Sequence, residues 1–247
     1  MKVALLSIFY GKSSLMTEKD LRQQAWEDSY LRRENHVFQP CDEVVRFVSR
    51  YLMRRTDIDT VQSVDPSIQN GELKVIDVGC GIGRNMIFGQ SMGLQMFGIE
   101  LSVVAVEKAK RWMSKLGQDP DRILQGDVRN LSWSDNFFDH ALSDSVLDSM
   151  PYEIAEQGVA EVARILKPKG LFYCNLIGKY SDISLPDEKV VTDTHEKNTI
   201  QSYFDRNKIH KLLDPFFEII QCEHHTIEDQ EEHPLRSRWH VVGRLIP

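Results

Sequence analysis

The sequence predicts an α/β protein with a mostly parallel sheet, and three observations carry that expectation. Residues Val75-Ile76-Asp77-Val78-Gly79-Cys80-Gly81-Ile82-Gly83-Arg84-Asn85 read as a short apolar strand, a turn with glycine at every second position, and the polar opening of a helix. Two later apolar runs end on acids: Leu94 to Ile99 reaches Glu100, and Arg122 to Gln125 is followed by Gly126-Asp127-Val128. Helical and strand patterns keep alternating as far as Ile177, which is how parallel strands joined by helical crossovers must read.

The turn comes first because it bears on ligand type. A strand that stops among such small residues lets a ligand lie against bare backbone, although a glycine-rich strand-to-helix turn can also be purely structural. A dinucleotide fingerprint, Gly-x-Gly-x-x-Gly, needs its third glycine where this chain has Arg84. The third glycine is Gly83, one place early, so no diphosphate need be cradled here.

The elements then follow in order. Asn85 to Met92 reads as a helix. The strand ending on Glu100 delivers a carboxylate about 20 residues past the first glycine, where both oxygens can accept from a ribose diol; opening the next helix is its structural alternative. Ser102 caps a helix carrying Val103, Val106, Ala109, Lys110 and Met113, which stops near Gly117 and Pro120. Phe137 to Ser143 is a fourth strand. The loop Asp144-Ser145-Val146-Leu147-Asp148-Ser149-Met150-Pro151 leads to a helix over Tyr152–Leu166, a stop at Lys167-Pro168-Lys169-Gly170, and a fifth strand over Leu171–Ile177.

The spacing of Gly79, Gly81 and Gly83 behind Asp77 resembles the first motif of the class I S-adenosylmethionine-dependent methyltransferases. The run Glu161-Val162-Ala163-Arg164-Ile165-Leu166-Lys167-Pro168-Lys169-Gly170-Leu171 resembles their small-molecule members, of the methyltransferase domain 11 and 25 type. The resemblance spans residues 73 to 177. It implies a Rossmann-like, seven-stranded, mostly parallel sheet with an antiparallel edge strand, helices on both faces and an N-terminal helical cap. It implies S-adenosylmethionine as cofactor, S-adenosylhomocysteine as product, and no metal. Asp77, Gly79, Gly81, Gly83, Glu100, Leu101, Asp127, Val128 and Ser143 are then the expected cofactor residues, with Asp127 accepting from the adenine amino group.

Ligands sit beyond the carboxyl ends of parallel strands, so the loop after the fourth strand points Asp144, Ser145 and Asp148 at the reacting methyl. Asp148 is expected to orient the acceptor or act as base, and Asp144 to lie nearer the cofactor; helix capping is the competing role. Related bacterial sequences often carry histidine where this chain has Ser149. The Asp/Asn-Pro-Pro-aromatic run of enzymes that methylate planar amino groups is missing, which disfavours a nucleobase amino acceptor.

Upstream, Val3 to Tyr10 is too short to span a bilayer and has no convincing cleavage site beyond it. Gly11-Lys12-Ser13 lacks the earlier glycine of a phosphate loop, where Leu6 stands. Lys19–Arg33 reads as a polar helix, Asp42–Arg54 as an amphipathic one, and Thr56–Gly71 as an irregular connection, making residues 1–70 a cap on the 71–177 core within one 1–247 domain. Trp26 and Tyr30, one turn apart, either lean over the methyl donor or pack as core aromatics. Residues 178–210 form a hydrophilic insertion, read as an acceptor lid. A short helix at Ile209–Leu213 leads into residues 211–247, a C-terminal hairpin of Phe216–Cys222 and Arg238–Gly243 around the acidic loop Glu228–His233. His195 in the insertion, with Arg238 and His240 alternating onto one strand face, are the candidates for acceptor contact.

Bulk properties set the remaining bounds. The 247 residues carry 30 basic and 37 acidic side chains, a formal charge of −7, which disfavours nucleic-acid partners. Cys41, Cys80, Cys174 and Cys222 are widely spaced and suggest reduced thiols in a cytoplasmic protein. His224, His225, His233 and His240 match no zinc spacing. The expected function is methyl transfer to an oxygen or nitrogen of a small, polar metabolite. A protein methyltransferase, less readily an RNA one, and a non-catalytic cofactor-binding module are the alternatives.

Overall fold

The computed structural model describes residues 16–69, 71–179, 186–193, 195–229 and 234–247. The readings of Val3 to Tyr10, of Gly11-Lys12-Ser13 and of His233 lie outside the described residues.

Helix α1 (Glu18–Leu31) starts in a capping box: the Thr17 hydroxyl accepts from the Asp20 N–H, and the Asp20 carboxylate accepts from the Thr17 N–H. Helix α2 (Asp42–Phe47) ends earlier than its apolar periodicity suggests. A π-helical turn over Val48–Leu52 widens it, and Met53 leaves in extended backbone. Residues read as an irregular connection instead form a hairpin, β1 (Met53–Asp57) against β2 (Thr60–Ser63). Its strands are largely exposed, so no apolar alternation marks them.

The core follows the expected order: β3 (Lys74–Val78), α3 (Arg84–Ser91), β4 (Gln95–Glu100), α4 (Val103–Lys115), β5 (Ile123–Gln125), β6 (Phe138–Ser143), α5 (Tyr152–Ile165) and β7 (Leu166–Ile177). Strand β7 starts earlier than expected. Its register against β6 jumps from Phe138 opposite Leu166 to His140 opposite Leu171, so Lys167-Pro168-Lys169-Gly170 bulges from the ladder, with Lys169 left-handed at φ 68°. The insertion contributes β8 (Glu188–Val190) paired with β9 (Ile200–Ser202), and α6 (Arg206–Leu213), β10 (Phe217–Glu228) and β11 (Pro234–Leu245) complete the chain.

The central sheet has the strand order β10-β11-β7-β6-β3-β4-β5. Strands β3 to β7 run parallel. Strand β11 is antiparallel to β7 and sits one place in from the edge, with β10 outside it. Alternating side chains feed two cores. Ile76, Phe172 and Val241 meet α5 and α6 on one face; Val75, Tyr173 and Val242 meet α2, α3 and α4 on the other. Both faces are covered, as a sheet with a parallel core requires.

Two imidazoles, His140 half-buried and His240 buried, make this sheet sensitive to pH. Burial pushes His140 down to about 4, and its Nδ1 accepts from the Leu171 N–H at 3.1 Å. Burial, followed by the charges of His225 and Arg238, pushes His240 down to about 4 as well. An unfolded histidine titrates near 6.5, so the unfolded chain takes up protons first as acid is added. The stability held by each neutral imidazole is complete above pH 6.5 and lost on descending to about 4, on the order of 3 kcal/mol for His140. Urea midpoints measured across that window should fall with acid, and His140→Asn, which keeps an acceptor for the Leu171 N–H, should flatten part of the fall.

Candidate active site

The carboxyl ends of β3, β4 and β6 open into a cleft that reaches solvent. Its floor is the turn between β3 and α3. The Gly79 and Cys80 N–H groups both donate to the Ile99 carbonyl, at 2.8 and 3.0 Å, which fixes the turn to β4. Gly79 has φ 78°, and a Cβ there would lie 2.4 Å from the Val146 side chain. At Gly81, φ 54°, a Cβ would lie 2.7 Å from the Tyr30 hydroxyl. Only glycine satisfies both the backbone and the space at these positions.

Glu100 ties three elements together. Its Oε2 accepts from the Gly81 N–H at 3.0 Å and its Oε1 from the Ser102 N–H at 2.9 Å. Burial pushes its carboxyl up, and those N–H groups of Ser102 and Gly81 oppose the shift. Each oxygen keeps acceptor capacity on the cleft side.

Asp127 also lines the cleft, but its carboxylate is committed. Arg129 donates to it from its backbone N–H, Nε and Nη2 at 3.0, 3.0 and 2.8 Å, and Arg22 from Nη2 at 2.7 Å. Burial raises the carboxyl, yet the Arg129 bonds and the Arg22 charge outweigh it and hold it below the usual carboxylate range.

Helix α1 supplies the opposite wall. Trp26 and Tyr30 face the cleft, their ring centroids 6.4 Å apart. Arg22 stands one turn before Trp26 on the same stripe, and that spacing could have found it from sequence. Glu27 fixes the helix in place: its carboxylate accepts from Val103 and Val104 N–H (2.6 and 3.0 Å) and from the Ser102 hydroxyl (2.8 Å), at the start of α4. Burial, then the charge of Glu100, pushes the Tyr30 phenol well up, so it stays neutral.

The loop after β6 behaves differently from the sequence expectation. Asp144 lines the cleft, with Oδ2 accepting from Arg84 Nη2 (2.6 Å) and Asn85 Nδ2 (3.2 Å) and Oδ1 from Asn175 Nδ2 (2.6 Å) and the Ser145 hydroxyl (3.4 Å). Asp148 does not reach the cleft. It is fully buried; Oδ2 accepts from the Ile177 N–H (2.8 Å) and from Arg238, Oδ1 from the Ser149 hydroxyl (3.3 Å), and its carbonyl from the Ser202 N–H (2.7 Å). The loop is thereby stitched to β7, β11 and the insertion. Arg238 is spent on this pair, and His240, bonded through Nδ1 to the Tyr173 hydroxyl at 2.9 Å, is buried away from the cleft.

Asp77, Gly83 and Ser143 lie beneath the cleft lining. The Ser143 hydroxyl donates to the Val78 carbonyl at 3.1 Å, Gly83 opens α3, and both Asp77 carboxyl oxygens are buried without a hydrogen-bond partner. Burial, then the charge of Asp144, pushes the Asp77 carboxyl well up. Gly79, Gly81, Leu101 and Val128 join Glu100 and Asp127 in the lining, as do Asn35, Asn85 and Glu196, which the sequence did not single out. His195 is exposed beside Glu196. Among the described residues no three of His, Cys, Asp and Glu converge as a metal would need, and no helix is long and apolar enough to cross a membrane.

Residues 76–174 match the family model described as a methyltransferase domain. A sterol 24-C-methyltransferase of Yarrowia lipolytica is 28% identical over 187 residues, 72% of this chain and 48% of that protein. The chain spans about half the length of the curated relatives it matches. Among solved structures, the 1,6-didemethyltoxoflavin-N1-methyltransferase of Burkholderia thailandensis, with 1,6-didemethyltoxoflavin and S-adenosylhomocysteine bound, is 12% identical, covers 96% of this chain and 94% of its own, and superposes with a TM-score of 0.66. The magnesium protoporphyrin IX methyltransferase of Synechocystis PCC 6803, with S-adenosylmethionine bound, is 13% identical, covers 95% and 100%, and also scores 0.66. Residues 76–174 thus carry a methyltransferase domain, and these two solved methyltransferases share its fold. In this chain the glycine turn, Glu100 and the Asp127 loop share one cleft beneath α1.

The buried Asp148–Arg238 pair yields a stability prediction. Asp148→Asn leaves the guanidinium without its counter-charge and should cost about 3–5 kcal/mol in urea unfolding, the usual penalty for breaking a buried pair from one side. Adding Arg238→Met should recover part of that loss.

Proposed function

We propose that the chain transfers a methyl group from S-adenosylmethionine to an oxygen or nitrogen atom of a small, polar acceptor held between α1, the loop after β6 and the insertion. The observation that carries this reading is the cleft itself, where a bare glycine turn and a buried acid with spare lone pairs share one floor. A further feature supports the cofactor's fit. Asn85 Oδ1, on a residue lining the cleft, is buried without a partner. An unmet buried acceptor is costly, and the cofactor's ammonium group would meet it.

When bound, S-adenosylmethionine supplies an electrophilic methyl group on its sulfonium. The chain's own residues bind and orient. In this reading Gly79 and Gly81 give the amino-acid end access to backbone, and Glu100 accepts from the ribose hydroxyls. Asp127, anchored by Arg22 and Arg129, sets the Gly126–Val128 backbone beside the adenine, and Trp26 and Leu101 wall the nucleoside from water. Asp144, with both oxygens already accepting, holds Arg84 and Asn85 in place rather than serving as a free base. Asp148 keeps the loop's shape. The rate then rests mainly on alignment of acceptor and donor, which is worth several powers of ten.

The sterol relative acts, by its name, on a carbon acceptor. Asn35, Ser145, Ser149 and Glu196 at the acceptor end support a polar acceptor instead. Calorimetry should find S-adenosylhomocysteine bound and NAD not bound. Glu100→Ala should weaken the former by roughly 5- to 150-fold, the loss of charge-assisted hydrogen bonds of about 1–3 kcal/mol. Absence of S-adenosylhomocysteine binding to the unmodified protein would overturn the reading.

A further inference from the structure

We propose that Glu196 recognises a positive charge on the acceptor, so that the acceptor is an amine or related nitrogen cation. This inference rests on the methyltransferase reading and adds the substrate class. It begins from the charges that line the cleft. Glu100, Asp127, Asp144 and Glu196 face it, against the guanidiniums of Arg22 and Arg84. Arg22 is committed to Asp127 at 2.7 Å, and Arg84 to Asp144 at 2.6 Å. Glu100 is held by two backbone N–H groups. The donor brings one net positive charge, and an acceptor cation balances what is left. Electrostatic matching of this kind selects partners chiefly by penalising the wrong ones.

Glu196 is the carboxylate left over. Its side chain is only 18% exposed, and among the described residues the group at ion-pair distance from it is His195, 3.7 Å away and 63% exposed. It lines the cleft from the insertion, as Ser145, Val146, Ser149 and Met150 line it from the loop after β6. A carboxylate so placed has lone pairs free for a donor from a bound molecule.

The backbone is built to hold it there. Glu196 has φ 55°, the left-handed region that side-chain-bearing residues rarely occupy. Its N–H donates to Glu34 Oε2 at 2.9 Å, and its carbonyl accepts from the Thr199 N–H (3.0 Å) and hydroxyl (2.8 Å). Val191 and Asn198 close the same turn, through Val191 N–H to the Thr199 carbonyl and Asn198 N–H to the Val191 carbonyl, each at 2.9 Å. Strain kept by so many fixed contacts is expected where a side chain must be aimed. An ammonium bound to this carboxylate has to give up a proton before its nitrogen lone pair is free. That proton passes to water, to which the cleft is open.

The test uses the protein loaded with S-adenosylhomocysteine, so that binding is read without turnover. A panel of aliphatic and aromatic amines, each matched to the alcohol and the carboxylate of the same skeleton, is equilibrated by dialysis and quantified by mass spectrometry. At least one amine should be retained roughly 10-fold or more above its alcohol partner. Glu196→Gln, which keeps size and hydrogen bonding, should reduce that retention by roughly 10- to 100-fold, the scale of a lost charge-assisted contact. Affinity for S-adenosylhomocysteine should be unchanged within about two-fold, and Glu196→Ala should reproduce the loss. Equal or better retention of alcohols or carboxylates, or an amine preference that survives both variants, would overturn the proposal. Loss of S-adenosylhomocysteine binding by the unmodified protein would instead remove the methyltransferase reading.

Discussion

The cleft depends on one carboxylate. Glu100 ends β4 with its two oxygens bonded to the Gly81 and Ser102 N–H groups, so the floor of the site and the start of α4 are positioned by a single buried acid. The Ile99 carbonyl, one residue earlier, takes the N–H groups of Gly79 and Cys80. The turn is therefore tied to the neighbouring strand on both sides of its tightest point. Left-handed backbone at Gly79 and Gly81 costs little for glycine, and the contacts with Val146 and Tyr30 leave no room for any other residue. A ligand that meets this surface meets backbone already held in shape, which lowers the ordering cost of binding.

Helix α1 belongs to the same arrangement through charge. Its amino-terminal half reaches the Gly126–Val128 loop by way of Glu18, Arg22, Asp127 and Arg129, and Glu27 caps α4. Lys108 of α4 returns the contact by donating to the Tyr30 carbonyl at 3.0 Å. Exposed ion pairs contribute little, but Arg22 and Asp127 are nearly buried, and breaking such a pair from one side leaves an uncompensated charge. The wall over the cleft is thus held mainly by polar contacts to loops that also shape it.

What the sequence revealed, and what it hid, follows from this construction. The alternating glycines, Glu100 and the caps at Ser102 and Thr17 are local signals, since each works through backbone within a few residues. The core strands are legible because both faces are buried and the apolar runs show it. The β1–β2 hairpin lacks that mark because water covers it. The role of Asp148 was hidden for a different reason. Its position after a parallel strand points towards ligand, but its partners are Ile177, Ser202 and Arg238, distant in sequence and brought in by the insertion and β11. His240 sits on the expected face of β11 and is removed from the cleft by Tyr173. Glu196 carries no pattern at all: it is one acid on a turn, adjacent to the His195 that drew attention, and only tertiary structure places its carboxylate in the cleft.

The two ends of the cleft are therefore specified by different physics. The end at the glycine turn is made of backbone geometry, which tolerates almost no substitution and leaves a readable trace. In the loop after β6 the acids are committed: Asp144 is saturated and Asp148 is sealed in. Free polar chemistry is left to the insertion, where Glu196 lines the cleft. Under the proposed function, a single side chain on a stiff turn can change which acceptor is admitted without disturbing any strand of the sheet. Such a division lets one scaffold keep its donor geometry while acceptor choice rests on a few loop residues, consistent with binding groups being carried by loops on a rigid support.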